Sequence, residues 1–66
     1  MHRLKAYRAL KLLTQTEVAK ELGITRESYG QKENGKTEFT LSEIKKISEL
    51  LGQPVEEIFF ADGNLK

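Results

Sequence analysis

The sequence predicts an all-α fold. Three observations carry that prediction. Apolar residues recur at the three- and four-residue spacing of a helix face instead of alternating. Two Thr-x-x-Glu boxes, Thr14–Glu17 and Thr40–Glu43, stand where helices should start. Glycines at 23, 35 and 52 stand where helices should stop. No segment has convincing strand alternation, and no internal repeat, linker or low-complexity tract interrupts the chain.

The first helix is predicted over Arg3–Leu12, with Leu4, Tyr7, Leu10 and the following Leu13 on one face and Lys5, Arg8 and Lys11 on the other. The box at Thr14 and Glu17 opens a second helix. Val18, Ala19 and Leu22 are its inward face, and Gly23 closes it by adopting the left-handed conformation at no steric cost. Thr25 caps a third helix over Arg26–Asn34, closed by Gly35, with Tyr29 and the stem of Lys32 turned inward. The second box opens a fourth helix, whose stripe of Leu41, Ile44, Ile47, Leu50 and Leu51 is the widest in the chain; Gly52 ends it. Pro54 suits the first turn of a fifth helix with Val55, Ile58 and Phe59 as its apolar face. Gly35–Phe39 is the longest internal loop. A single domain over residues 1–60 accounts for these elements, and residues 61–66 are expected to fray.

Composition narrows the function. A chain of 66 residues makes one domain. A domain that small buries about 60% of the surface its unfolded chain exposes, and its single core supplies roughly 3–5 kcal/mol. It does not enclose a deep substrate cavity as well. The absence of cysteine excludes disulfides, thiolate nucleophiles and cysteine-ligated zinc. His2 alone makes neither a triad nor a metal cluster. The acids form no pair in an apolar pocket, no nucleophile has a base beside it, and no glycine-rich loop follows a strand. Neither an enzyme nor a cofactor is therefore expected. No apolar run approaches a membrane span and no signal peptide is evident, so a cytoplasmic protein without membrane partners is expected. The net charge is only +1, but residues 1–36 carry eight Lys/Arg against four acids and residues 37–66 three against six, giving halves of +4 and −3. A basic half suits a polyanion, because contacting phosphates releases condensed counterions.

The join between helices two and three is the informative feature. Only Gly23, Ile24 and Thr25 separate them. So short a turn forces a sharp crossing, roughly the 90–120° of a helix-turn-helix over Gln15–Asn34. Ala19 faces that crossing, where a small side chain permits close approach. Val18, Leu22, Ile24 and Tyr29 brace the unit from below. Arg26, Glu27, Gly30 and Gln31 then point outward from helix three.

At this point the chain resembles the Cro/CI-like (XRE) family of helix-turn-helix regulators. The residues that carry the resemblance are Thr14-Gln15-Thr16-Glu17-Val18-Ala19, Leu22-Gly23-Ile24-Thr25-Arg26 and Glu33-Asn34-Gly35-Lys36, with helix four and Val55-Glu56-Glu57-Ile58-Phe59 similar to the family's closing segment. The similarity covers Leu4–Phe59. It implies a compact five-helix bundle of the lambda-repressor-like DNA-binding type. It also implies a sequence-specific regulator of transcription, expected to repress, that binds a palindromic double-stranded operator as a homodimer.

The resemblance implies roles residue by residue. Gln15 contacts phosphate through its side chain and the helix N-terminus. Thr25 caps helix three and touches the backbone. Arg26 and Glu27 enter the major groove first. Arginine suits guanine O6/N7, glutamate a cytosine amine, and Gln31 adenine N6/N7. Gly30 costs about 1 kcal/mol relative to alanine inside a helix, which suggests either close backbone approach to DNA or a neutral exposed site. The loop of Asn34, Gly35, Lys36 and Thr37 lies against the sugar-phosphate backbone through amides and a basic side chain, with Asn34 and Lys36 contacting phosphate. Arg8 and Glu33 match a family pair that locks the recognition helix to the scaffold. Lys32 departs from the family, standing where a large apolar residue is common; its ammonium is expected to reach solvent or phosphate. Leu12 stands where glycine is common. Val55, Phe59 and Phe60 are the expected dimer contacts. Neither a second domain that senses a metabolite nor a small-molecule effector is expected. The alternative function is a protein-binding module on the same fold, an anti-repressor or antitoxin-like partner, which requires an exposed apolar patch around Phe59 and Phe60.

Overall fold

A computed structural model describes residues 2–60, so the expectation for 61–66 lies outside the described residues. Four α-helices are followed by a π-helical segment: α1 His2–Leu10, α2 Gln15–Leu22, α3 Arg26–Glu33, α4 Leu41–Leu51 and α5 Glu56–Phe60. The described residues contain no strand. α2 packs on α3 and on α4, while α1 lies along α5. Leu4, Val18, Ala19, Tyr29, Ile47, Leu51, Ile58 and Phe59 form the buried core that all five elements share. Each large aliphatic member contributes about 1.5–3 kcal/mol by leaving water. No helix among the described residues is long and apolar enough to cross a membrane.

Local chemistry sets the helix ends. Both predicted boxes are complete: the Thr14 and Thr40 hydroxyls accept the amides of Glu17 and Glu43, whose carboxylates accept the threonine amides in return. At the other end, Gly23, Gly35 and Gly52 all have positive φ. The end of α2 shows how this works. Ile24 N–H reaches the Ala19 carbonyl at 3.0 Å and Gly23 N–H the Lys20 carbonyl at 3.1 Å, so the last carbonyls are satisfied as the chain reverses.

The same closure ends α1, but with leucine. Leu13 N–H bonds the Arg8 carbonyl (3.1 Å) and Leu12 N–H the Ala9 carbonyl (2.9 Å), with Leu12 at φ 59°. α1 thus stops two residues short of the predicted Leu12, because Leu12 itself forms the left-handed cap.

The apolar faces need two corrections. Leu10 is 76% exposed and not inward. Lying six residues after Leu4, it falls well round the helix from a face defined by i, i+3 and i+4; Tyr7 and Arg8 occupy that face and are half-buried. Leu41 is likewise 76% exposed, since the first residue of α4 lies beyond the edge of the core. The fifth element also differs from the predicted helix begun by Pro54: its π-helical span is Glu56–Phe60. The wider winding lets the adjacent Ile58 and Phe59 both turn inward. Arg3 fastens it to α1, donating from Nε to the Glu57 carbonyl (2.9 Å) and from its guanidinium to the Glu57 carboxylate.

Leu12 generates a stability prediction. A left-handed L-residue costs about 1–2 kcal/mol, and glycine returns roughly half of that through its larger unfolded-state freedom. Leu12→Gly should therefore stabilise the domain by about 0.5–1 kcal/mol, raising the thermal midpoint by roughly 3–6 °C in a melt followed by circular dichroism. An unchanged or lower midpoint would show that the left-handed leucine carries no strain.

Candidate nucleic-acid interface

The α2–α3 unit is built from its turn outward. Gly23 reverses the chain, Ile24 tucks a half-buried side chain against the core, and Thr25 adopts extended backbone at φ −76°, ψ 158°. The Thr25 hydroxyl accepts the Ser28 amide at 3.0 Å and so starts α3. Ala19 is buried at the crossing, where a larger residue would push the helices apart.

Beneath the unit lies one buried carboxylate. Glu33, at the end of α3, has no exposed surface. It accepts from Arg8 Nε (2.7 Å), Arg8 Nη2 (3.3 Å), Tyr29 Oη (2.8 Å) and Gln15 Nε2 (2.8 Å). Arg8 uses its remaining nitrogen, Nη1, to reach the Leu13 carbonyl at 2.8 Å. Burial pushes the Glu33 carboxyl up, but the hydrogen bonds from Arg8, Gln15 and Tyr29 outweigh it and hold the group below the usual carboxylate range. Burial, then the bond to Glu33, pushes the Tyr29 phenol up. Glu33 is therefore an anion at neutral pH, and Arg8 is a bridge from α1 to α3.

The outward residues of α3 stay at the surface. Arg26, Glu27 and Gln31 are exposed, and Gly30 between them is half-exposed. Thr25, Asn34, Lys36 and Thr37 are exposed around the same helix. Gln15 is half-buried, because its amide reaches down to Glu33 while the start of α2 stays at the surface.

Three sequence expectations change. The loop amides are turned inward: Asn34 N–H bonds the Gly30 carbonyl (3.0 Å), Gly35 N–H that of Lys32 (3.1 Å), and Lys36 N–H that of Gln31 (2.8 Å). Only the side chains of this loop are thus left for an outside partner. The Lys32 ammonium does not reach outward; it pairs with Glu43 Oε1 at 2.7 Å and lies 6.0 Å from the Phe39 ring centroid. Phe59 is buried against Phe39 with ring centroids 5.6 Å apart, so it belongs to the core, and Val55 packs half-buried against that core. Phe60 is the more exposed of the two adjacent rings, at 38%.

Sequence reasoning missed two parts of this arrangement. Tyr29 as a partner of Glu33 was detectable, because i and i+4 share a helix face. The Gln15–Glu33 bond was not, since no local rule joins residues on two different helices. The basic half also overstates the available charge: Arg3, Arg8 and Lys32 are already paired with Glu57, Glu33 and Glu43.

Residues 4–58 match the helix-turn-helix family model. An uncharacterized helix-turn-helix (HTH)-type transcriptional regulator of Methanocaldococcus jannaschii is 41% identical over 58 residues, covering 88% of each chain. The SPbeta prophage-derived uncharacterized HTH-type transcriptional regulator YonR of Bacillus subtilis is 46% identical over 50 residues, covering 76% of this chain but only 46% of YonR. No solved structure matches the chain significantly.

Two predictions come from the buried carboxylate. Arg8→Met leaves the Glu33 charge without its cation and should cost about 3–5 kcal/mol. Adding Glu33→Met should restore at least ~1 kcal/mol of that in urea titrations, the sign of coupled residues. Independent, additive losses would mean the two side chains do not act as a pair. The folded-state pKa of Glu33 is depressed, so its stabilisation is present above the unfolded carboxyl value of about 4.3 and is lost as pH falls through the lower folded value. The wild-type urea midpoint should thus fall below pH ~4.5, and Glu33→Gln should flatten that acid limb.

Proposed function

The chain belongs to the helix-turn-helix family of transcriptional regulators, and on that premise we propose that it is a sequence-specific reader of double-stranded DNA that represses transcription. The observation that carries this reading is the outward row of α3. Arg26, Glu27 and Gln31 are exposed, hydrogen-bonding side chains on a helix anchored to the core by the buried Tyr29 and Glu33. A helix so held enters the major groove with its leading residues first. Arg26 pairs with guanine O6/N7, Gln31 with adenine N6/N7, and Glu27 accepts from a cytosine amine. Asn34, Lys36 and Thr37 grip the backbone through their side chains, with Thr25 beside them.

The reading includes a homodimer on a palindromic operator. Phe60 lines a groove of about 280 Å³ together with Phe39, Ile44 and Phe59. In a two-fold pair each copy offers the same groove and the same ring, as an isologous interface requires. The same patch serves the alternative of a protein-binding module, and salt dependence separates the two.

Binding to duplexes selected from a random library should weaken with salt by a log–log slope of about −0.9 per phosphate contacted. The selected motif should hold two half-sites about 10 base pairs apart. Salt-insensitive binding, or none to any duplex, would leave the protein-binding module as the better reading. Arg26→Ala should relax selectivity at one base pair by about 1–3 kcal/mol, while Lys36→Ala should weaken all sequences alike. Phe60→Asp should shift the protein to monomer in sedimentation equilibrium; a wild-type protein that is already monomeric at the concentrations that occupy operator would remove the dimer from this reading.

A further inference from the structure

A side-chain amide has a donor end and an acceptor end, and the structure settles which way that of Gln15 faces. Its nitrogen lies 2.8 Å from Glu33 Oε1. The reverse orientation would set two acceptor oxygens against each other over a buried anion. The oxygen of Gln15 therefore faces away from Glu33. It lies 3.9 Å from the place a Cβ would occupy on Gly30, and beyond Gly30's chain neighbours and the backbone of its own helix no other atom lies within 4 Å of that place. Gly30 follows Arg26 by one helical turn and precedes Gln31, so the notch opens within the row of outward residues. Any larger residue at 30 would bring a side chain alongside the oxygen. Glycine, the weakest helix former after proline, leaves it uncovered.

We propose that the Gln15 side-chain oxygen, exposed by the notch at Gly30, is a base-reading acceptor that takes a hydrogen bond from an exocyclic amine in the major groove, adenine N6 or cytosine N4. A phosphate presents acceptor oxygens and repels this end of the amide. The major-groove edge displays those two amines as donors. Glu33 is in this scheme a positioning residue: it holds the nitrogen and so fixes which end faces outward. The inference rests on the reading of the chain as a DNA reader.

The test compares wild type with Gln15→Met and Gly30→Ser on duplexes selected by the wild type, with every base pair of one half-site varied in turn. Gln15→Met removes the acceptor and keeps the length of the side chain. Gly30→Ser leaves the Gln15–Glu33 bond in place but sets a hydroxyl beside the oxygen to occupy it, so it reports even if Gln15→Met unfolds. Both variants should lose about fivefold to tenfold in preference for an adenine or cytosine at one and the same position, with the salt slope unchanged. Uniform weakening across all duplexes with a slope shallower by about 0.9 would identify a phosphate contact and overturn the inference while leaving DNA reading intact. Retention by Gly30→Ser of the wild-type preference at every position would also overturn it. Failure of the wild type itself to bind any duplex would bring down the DNA reading, and this inference with it.

Discussion

A single buried anion holds this domain in shape. Glu33 closes α3 with four hydrogen bonds from Arg8, Gln15 and Tyr29, and Arg8 carries the connection on to the Leu13 carbonyl. One carboxylate thus fixes α1, the exit from α1, the start of α2 and the orientation of α3. Taking a charge out of water is costly, and the arrangement tolerates it only because every partner is in place. The same requirement gives specificity: a packing that misplaces any of the three partners leaves charge unpaired inside the protein. An apolar contact of equal area would accept small rotations of α3, whereas hydrogen bonds at these distances do not.

Around that centre the smaller locks share its logic. Lys32 leans over Phe39 and pairs with Glu43, which at the same time accepts the Thr40 amide and opens α4. Phe39, from the loop, stands between Tyr29 and Phe59 with centroid distances of 6.0 and 5.6 Å, so the connection between α3 and α4 is pinned to the core by one ring. Arg3 and Tyr7 both reach the Glu57 carboxylate and hold α5 against α1. The first lock joins consecutive helices, the second reaches from α3 to α5 and the third joins the two ends of the described chain, which matters for a domain with so little core.

What the sequence made legible was local. The two threonine boxes and the three terminating glycines act within five residues, and every one of them lies where those rules put it. The family resemblance added the Arg8–Glu33 pairing, which no local rule contains. The errors arose where neighbours decide. Leu10 and Leu41 are apolar, yet no element covers them. Phe59 is adjacent to Phe60, and only the winding of α5 determines which ring turns inward. Lys32 looked like a reaching cation because its partner, Glu43, lies on another helix. The surface residues of α3 and the following loop were identifiable as a set. What each would contact on a DNA partner depends on a molecule whose sequence the chain does not encode.

The inward amides of residues 34–37 bear on how such a protein can change over generations. Because Asn34, Gly35, Lys36 and Thr37 direct their backbone N–H groups to the carbonyls of α3, these four residues are held by main-chain bonds, while the Phe39 ring pins the rest of the connection. Its side chains at 34, 36 and 37 are exposed and take no part in the core. On the proposed reading, a grip on a polyanion carried by those side chains would be uncoupled from folding. Substitutions there would then strengthen or loosen attachment in small steps without drawing on a narrow margin of stability. Base choice by the exposed residues of α3 would vary separately. Affinity, specificity and foldedness become three variables that selection can adjust one at a time.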